Sequence, residues 1–152
     1  MGAFTRAPYA AAMSALEDRL AVGDVIIRYA DSVDQLDYDR YFSCFTDDVV
    51  VSGFTPEPIH GLGAYKPWLV ERRNAFGRTQ HLIGNIQVTV EGDTAHMRSY
   101  VQATHELPGD PDHLVTLWAA YVDDLVRTAE GWKITTHHLE RLIDVRRLVS
   151  NS

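Results

Sequence analysis

Asp34 closes a series of residues that recur at alternating spacings of four and three in the first long helical segment. The members of the series are Leu16, Leu20, Gly23, Ile27, Ala30 and Asp34. Such spacings place all six on one side of a helix, which we interpret as the side facing the apolar interior. A desolvated carboxylate needs hydrogen-bonded or charged partners. Asp34 is therefore either a core residue that ties down a loop or an acid that lines a cavity.

Histidines on the later strands are expected to meet this carboxylate. His105 shares the strand face of Val101 and Ala103, so alternation turns it inward near the end of that strand. His137 and His138 are consecutive on the last strand, and one of the two must face the interior of the sheet.

His81 faces the same interior only if the strand that carries it changes phase once. In a regular strand His81 lies on the same face as Ile83 and on the opposite face from Ile86. Gly84 and Asn85 lie between the two sets, where a β-bulge would shift the alternation by one residue. The sequence therefore predicts a bulge at this point and an inward His81.

An aspartate with two histidines suits proton transfer. Imidazole titrates near pH ~6.5, so a small change of environment makes it a base or an acid at neutral pH. Asp34 could accept an N–H bond from one histidine, fix its tautomer and stabilise the imidazolium. The second histidine could donate a proton to a departing hydroxyl or to an enolate oxygen. Proton abstraction next to a carbonyl, followed by elimination, a double-bond shift or ring closure, needs no cofactor, and we expect none.

Metal and nucleophilic chemistry are the alternatives. Asp34, His81 and His105 have the residue types of a site with two histidines and one carboxylate, but their spacing is unspecific, and we expect no metal. The chain has no Gly-x-Ser-x-Gly motif. Cys44 lies between Phe42 and Phe45, which is typical of a small core residue.

Two tyrosines are predicted to border the cavity. Tyr29 lies on a helical stripe with Ile26 and Val33, next to the stripe that ends at Asp34, and Tyr121 shares strand parity with Ala119. Their hydroxyls would be available to an oxygen of a substrate. The alternative is a pair of core tyrosines whose hydroxyls bond to the backbone.

The order of the elements predicts an α+β fold. A capping box at Ser14–Glu17 favours a first helix from Ser14 to about Gln35, followed by a short helix capped by Asp37 and a third helix over residues 64–76. A meander of long strands follows, which indicates helices packed on one face of a curved antiparallel sheet. We expect a leader at 1–13, a single domain at 14–145 and a tail at 146–152.

The composition of the chain limits the kinds of partner and the location that we expect. The chain has 152 residues and a net charge of −7, which argues against nucleic acid as a partner. No apolar run approaches the ~20 residues of a membrane span. With one cysteine, the chain cannot form an internal disulfide, and we expect a cytoplasmic location.

Three segments carry a resemblance to known families. Tyr29–Arg40 resembles a helix of scytalone dehydratase, and Thr79–Gly84 resembles the strand of that enzyme that bears a histidine. Gly131–Ile134 is similar to the final-strand signature of the nuclear transport factor 2-like superfamily, in its SnoaL-like (polyketide cyclase-like) branch. The resemblance covers nearly all of the chain after residue 14. It implies a cystatin-like α+β barrel shaped as a cone, with a pocket at the wide end.

The resemblance also implies roles for individual residues. The catalytic aspartate of scytalone dehydratase falls on Asp34, and its two catalytic histidines fall on His81 and His105. Similarity to lindane dehydrochlorinase places an active-site arginine of that enzyme at His137, which we expect to bind substrate together with Tyr29 and Tyr121.

The chain departs from scytalone dehydratase along the wall that faces the substrate. Two tyrosines that position water in that enzyme correspond to Val33 and Gly53, and its pocket serine and asparagine correspond to Ala119 and Tyr121. The resemblance therefore implies retained proton-transfer residues with a different substrate.

We thus expect a cofactor-free lyase or isomerase, dehydratase-like, acting on a small apolar compound that is cyclic, aromatic or polyketide-like. The alternatives are a non-catalytic small-molecule-binding domain and a small scaffold subunit of a ring-hydroxylating dioxygenase. The strand over residues 114–125 is apolar on both faces, so we also expect a homodimer or homotrimer formed through the outer face of the sheet.

Overall fold

The computed structural model describes the backbone of residues 6–148 and the side chains of 11–110 and 112–143. Its helices and strands follow in the order α1 (Arg6–Asp34), α2 (Tyr38–Phe42), β1 (Phe45–Ser52), β2 (Ile59–His60), α3 (Leu62–Asn74), β3 (Thr79–Glu91), β4 (Thr94–Leu107), β5 (Asp110–Thr128) and β6 (Gly131–Leu148). The predicted short helix is α2, where the side chain of Asp37 accepts a hydrogen bond from the Arg40 backbone N–H.

The strands form one open, curled sheet in the order β2-β1-β6-β5-β4-β3, with the helices on one face. The α+β class is confirmed. The sheet is not wholly antiparallel, however, because β1 pairs with β6 in parallel. No tight turn joins these two strands, so no hairpin imposes the antiparallel direction on them.

Helix α1 starts earlier than predicted. It begins at Arg6, so the capping box at Ser14 lies inside the helix, and the expectation of a loose leader is wrong for residues 6–13. Alanine-rich sequence favours helix, and a proline in the first turn, here Pro8, removes no intrahelical hydrogen bond. Residues 1–5 of the predicted leader lie outside the described residues. At the other end, β6 runs to Leu148, so residues 146–148 of the predicted tail belong to a strand.

The interior face of α1 is only partly the predicted one, since Gly23 and Ala30 of the predicted series are buried but its larger apolar residues are not. Leu20 is 61% exposed and Ile27 is 50% exposed, whereas Ile26 and Tyr29 are buried. The neighbouring stripe, which ends at Val33, packs on the sheet instead. Both stripes are apolar, so periodicity alone could not choose between them. Asp34 consequently sits at the edge of the buried face.

The predicted β-bulge is confirmed. The pairing register of β3 with β4 shifts between Gly84 and Gln87, and Asn85 has a φ of 48°. The residues of β3 that face inward have odd numbers before the bulge and even numbers after it, so His81 faces the same way as Ile86. No helix among the described residues is long and apolar enough to cross a membrane.

Candidate functional site

A cavity of about 160 Å³ lies between α1, α3 and the inner face of the sheet. Its wall is largely apolar, with aromatic and aliphatic side chains from the helices and from strands β4, β5 and β6. The cavity residues on which the argument below depends are Tyr29, Arg73, His81, His105 and Tyr121. A cavity of this size is on the scale that holds a benzene-sized molecule, for which roughly 150 Å³ suffices.

Asp34 is held at the end of α1 by a Schellman turn. The backbone N–H groups of Leu36 and Asp37 donate to the carbonyls of Val33 and Ser32. Leu36, with a φ of 60°, stands where glycine is usual. The turn directs the chain away from the helix, so that the Asp34 carboxylate reaches the start of β3.

Both oxygens of the Asp34 carboxylate are bonded to β3. His81 Nδ1 lies 2.7 Å from Oδ1, the His81 backbone N–H donates to Oδ2 at 2.7 Å, and Thr79 Oγ1 donates to Oδ1 at 2.8 Å. Burial opposes the charge of this carboxylate, but the hydrogen bonds from His81 and Thr79 outweigh it, and the pKa of Asp34 is lower than usual.

The ionised Asp34 fixes the tautomer of His81. A carboxylate only accepts hydrogen bonds, so His81 Nδ1 must carry the proton and donate it to Oδ1. The neutral ring then keeps its lone pair on Nε2. Because His81 borders the cavity and Nδ1 is committed to Asp34, Nε2 is the atom left to take a proton from a ligand.

His105 stands edge-on to His81, with 5.5 Å between the ring centroids, and its ring centroid lies 4.5 Å from that of Phe76. Burial, and then the neighbouring His81, lower the pKa of His105 to about 4, against a weaker opposite effect of the Val115 backbone. His105 is therefore uncharged near neutral pH. The structure thus places His81 and His105 on the wall of one cavity, whereas Asp34 is bonded to His81 but is not itself among the residues that border the cavity. The catalytic roles of the three residues stay a prediction.

A second Asp–His pair lies deeper, behind the tyrosines. His137 Nδ1 is 2.5 Å from Asp123 Oδ1, and both side chains are fully buried. On the other side of the ring, His137 Nε2 lies 3.2 Å from the Tyr29 hydroxyl, which in turn lies 3.5 Å from the Tyr121 hydroxyl. Of the two consecutive histidines His137 thus faces inward, whereas His138 is exposed and bonds to Ser52.

The tyrosines and His137 differ in their access to the cavity. Tyr29 and Tyr121 border it, and their hydroxyls bond to side chains rather than to the backbone, so the core alternative with backbone bonds is wrong. His137 is not among the residues that border the cavity. It packs against Tyr29 and Tyr121, and it can act on a ligand only through them.

Sequence reasoning missed two residues of this site, Asp123 and Arg73. Asp123 lies two residues after Tyr121 on β5 and directly opposite His137 on β6, so the alternation that placed Tyr121 inward also indicates Asp123. Arg73, in the last turn of α3, is only 6% exposed and borders the cavity. No pattern in the sequence indicated it, because arginine at a helix end is ordinary.

No set of three or more His, Cys, Asp or Glu side chains, within the part of the chain that the structure describes, is arranged to hold a metal ion. In particular, Nδ1 of His81 faces Asp34 at hydrogen-bonding distance rather than sharing a common centre with it and His105. The site is best described as an apolar cavity with three kinds of polar group at its wall: the histidines His81 and His105, the tyrosine hydroxyls, and arginines that include the buried Arg73.

Residues 14–138 match the family described as the SnoaL-like domain. An uncharacterised protein of Mycobacterium tuberculosis strain H37Rv is 31% identical over 120 residues, which is 78% of this chain and 82% of that protein.

Solved structures extend the comparison. A candidate aromatic ring hydroxylase from Novosphingobium aromaticivorans is 31% identical, with a TM-score of 0.78, over 88% of this chain and 94% of that one. A candidate scytalone dehydratase from the same organism is 23% identical, with a TM-score of 0.76, over 96% of this chain and 94% of that one. The nuclear transport factor 2-like, cystatin-like fold implied by the sequence motifs is thereby confirmed.

Proposed function

Because this chain belongs to the SnoaL-like domain family, we propose that it is a cofactor-free acid–base enzyme, a lyase of the dehydratase type or an isomerase. The observation that carries the proposal is the hydrogen-bonded Asp34–His81 pair, whose free ring nitrogen is available to an apolar cavity. A half-buried carboxylate bonded to an oriented imidazole is an arrangement that general base catalysis uses.

In the proposed reaction, His81 Nε2 removes a proton from a carbon next to a carbonyl group. The electron pair of the broken C–H bond moves into an enolate, and Asp34 stabilises the imidazolium that results. The Tyr29 hydroxyl donates to that of Tyr121, which leaves the Tyr121 proton to be donated to the carbonyl oxygen of the substrate. This bond would bind the substrate and orient the carbon that loses its proton.

The proton then leaves His81 by one of two routes. If it protonates a departing hydroxyl group, the products are an unsaturated carbonyl compound and water, which is a dehydration. If it returns to a different carbon, the double bond shifts and the reaction is an isomerisation. His105 is uncharged near neutral pH, so the His81 imidazolium is the stronger candidate for proton donor, with His105 positioned to hydrogen-bond the oxygen that receives the proton.

The test uses 3-hydroxycyclohexanone, a one-ring β-hydroxy ketone, with formation of 2-cyclohexenone followed by its ultraviolet absorbance. The same ketone in D₂O reports proton abstraction through deuterium incorporation at C2. His81→Ala should lower turnover by at least ~10²-fold, the scale of a lost general base. His96→Ala is the matched control, since His96 also pairs with an aspartate, Asp124 at 2.8 Å, but on the surface. Full turnover by His81→Ala would contradict the proposal.

Two other functions have observations in their favour. The apolar cavity also suits a non-catalytic binding domain, for which His81→Ala would change ligand affinity and no compound would turn over. The likeness to a candidate aromatic ring hydroxylase favours a scaffold subunit of a ring-hydroxylating enzyme. That function predicts co-purification with a larger iron-containing chain, whereas the proposed enzyme is active by itself, in a cytoplasmic setting where the lone Cys44 stays reduced.

We also propose that the chain forms a homodimer or homotrimer through the outer face of its sheet. Leu82 and Ile143 are 60% and 58% exposed on this face. Arg98, which is paired with Glu140, lies over the ring of Tyr100 beside this apolar surface, so a second copy could meet the pair with complementary charges. Light scattering at micromolar concentration should report an oligomer, and a monomer would contradict this proposal.

A further inference from the structure

The charged side chains that border the cavity are all potential cations. Three arginines, Arg72, Arg73 and Arg141, line it together with His81 and His105, and no aspartate or glutamate is among the lining residues. The chain as a whole has a net charge of −7. The fixed charges on the cavity wall are thus arginines, while the neighbouring carboxylate of Asp34 is bonded to His81 and does not border the cavity. Arginines on the wall favour the entry of an anion.

Arg73 is the buried member of this set. Its Nε donates to the Val33 carbonyl at 3.0 Å and its Nη1 donates to the Gly77 carbonyl at 2.9 Å. Within the described residues no carboxylate pairs with Arg73, and its Nη2 has no hydrogen-bond partner. By contrast, Arg127 is paired with Asp18 and Arg78 with Glu106.

The two hydrogen bonds to carbonyl groups use only part of the hydrogen-bonding capacity of the Arg73 guanidinium group. They tie the end of α3 to the end of α1, which is a structural role, and they involve two of its three nitrogens. A buried charge is costly unless it is paired with an opposite charge. Because Arg73 borders the cavity, Nη2 is the nitrogen left to bind a ligand there, and no carboxylate among the described residues matches the charge of the side chain.

We propose that the molecule bound in this cavity carries a carboxylate, and that Arg73 binds this carboxylate through Nη2. The cavity volume of about 160 Å³ leaves room for one ring or an apolar body of similar size beside the anionic group. Arg72, exposed and stacked over Phe76, would attract the anion at the rim. The inference rests on the proposed function only in using the same cavity, to which it adds the charge of the ligand.

His105 provides a reporter for this site. The positive charge of Arg73 is one of the causes that lower the pKa of His105, after burial and His81. An anion bound to Arg73 would cancel that contribution and attract a proton to the ring. Binding of a carboxylate should therefore raise the pKa of His105, whereas a neutral ligand of equal shape should not.

The first experiment compares benzoate with benzamide, which have nearly the same shape and differ in charge. Binding to the full chain is followed by NMR at constant ionic strength, with the His105 ring signals titrated against pH. We expect benzoate to bind about tenfold or more tightly than benzamide, and to raise the pKa of His105 from about 4. Equal affinities, or no change in the His105 titration with bound benzoate, would overturn the proposal.

Substitutions of Arg73 test whether this residue binds the carboxylate. Arg73→Gln should weaken benzoate binding by about 10- to 100-fold, the scale of a lost charge-assisted hydrogen bond, and leave benzamide binding unchanged. Arg73→Lys keeps the charge and should lose less. Arg78→Gln is the control, since it removes the same charge from an exposed residue that does not border the cavity. If Arg73→Gln does not fold, the comparison of the two ligands in the unmodified chain still decides the question.

The two proposals fail separately. Suppose that the chain binds benzoate no more tightly than benzamide, but turns over 3-hydroxycyclohexanone in a way that depends on His81. The anion site is then wrong and the proposed enzyme stands. If benzoate binds through Arg73 but no ketone or carboxylate-bearing analogue turns over, the anion site stands and the enzyme is contradicted.

Discussion

Asp34–His81 and Asp123–His137 are the same chemical pair in two surroundings. The Nδ1–Oδ1 distances are 2.7 Å and 2.5 Å. In the first pair, Asp34 is 20% exposed and His81 is 9% exposed, and the ring borders the cavity. In the second pair both side chains are fully buried, and tyrosines lie between the ring and the cavity. Access to a ligand, rather than the hydrogen bond itself, makes the first pair the candidate base.

The two carboxylates also differ in how well they are bonded. Asp34 accepts three hydrogen bonds, and its pKa is lowered. Asp123 accepts one from His137, while its Oδ2 is buried without a partner among the described residues. Burial raises the pKa of Asp123 in spite of His137. The outer pair therefore holds a stable negative charge behind its imidazole, which a base needs, and the inner pair orients the Tyr29 hydroxyl.

Asp34→Asn should have the largest effect on activity. An amide cannot stabilise the His81 imidazolium, so kcat/KM should fall by ~10²–10⁴-fold while the fold is retained. Asp123→Asn makes the same change in the inner pair and should cost less than about tenfold per folded molecule. Steady-state kinetics on the β-hydroxy ketone measures both. Equal losses would show that the two pairs do not differ in function as proposed.

For stability, in contrast to activity, substitution of Asp123 should cost more than substitution of Asp34. Asp123→Ala leaves His137 buried without its partner and should lower the free energy of unfolding by about 3 kcal/mol, the scale for breaking a buried pair. Asp34→Ala, at a half-buried site, should cost about 1–2 kcal/mol, as expected for lost hydrogen bonds to a charged group. Urea denaturation followed by circular dichroism measures both values. A larger loss for Asp34→Ala would contradict the assignment of Asp123 to the structural role.

Tyr121→Phe probes the boundary between the two pairs. Removing the hydroxyl should raise KM by about tenfold or less and change kcat little, because the ring still fills the wall. Tyr65→Phe is the matched control: its hydroxyl bonds to Tyr41 at 2.6 Å, and neither tyrosine borders the cavity. A Tyr65→Phe variant with the same rise in KM would assign the effect to packing rather than to contact with substrate.

The smallest expected effect is the contribution of His105 to the pH dependence of the free energy of unfolding. The pKa of His105 is about 4 in the folded chain, below the ordinary value of ~6.5 in the unfolded chain. Between these two values the unfolded chain binds the proton more readily, so this histidine makes the folded state less stable as pH falls from about 6.5 to 4. His105→Asn should show a flatter loss of unfolding free energy across that range. A slope identical to that of the unmodified chain would mean that His105 titrates normally.

Much of the fold and the outer pair could be predicted from local patterns. Alternation broken at Gly84 and Asn85 indicated the bulge, and the bulge turned His81 inward, as the register of β3 and β4 confirms. Neighbours along the chain decide such features, because a strand has a side-chain period of two and glycine marks the point where it shifts. Asp34 was expected inward for a partly wrong reason, since the stripe to which it was assigned is exposed at Leu20 and Ile27.

The amino-acid sequence by itself determined the α+β class, the order of the helices and the long strands, the phase of β3 and β4, and the residue types capable of moving a proton. Only the tertiary structure decided which apolar stripe of α1 is buried, that β1 runs parallel to β6, and which histidine faces which carboxylate. Arg73 belongs to this second group: its burial depends on where the end of α3 meets α1. Local periodicity reports the direction of a side chain from its own element, whereas partners and access depend on distances between elements far apart in the chain.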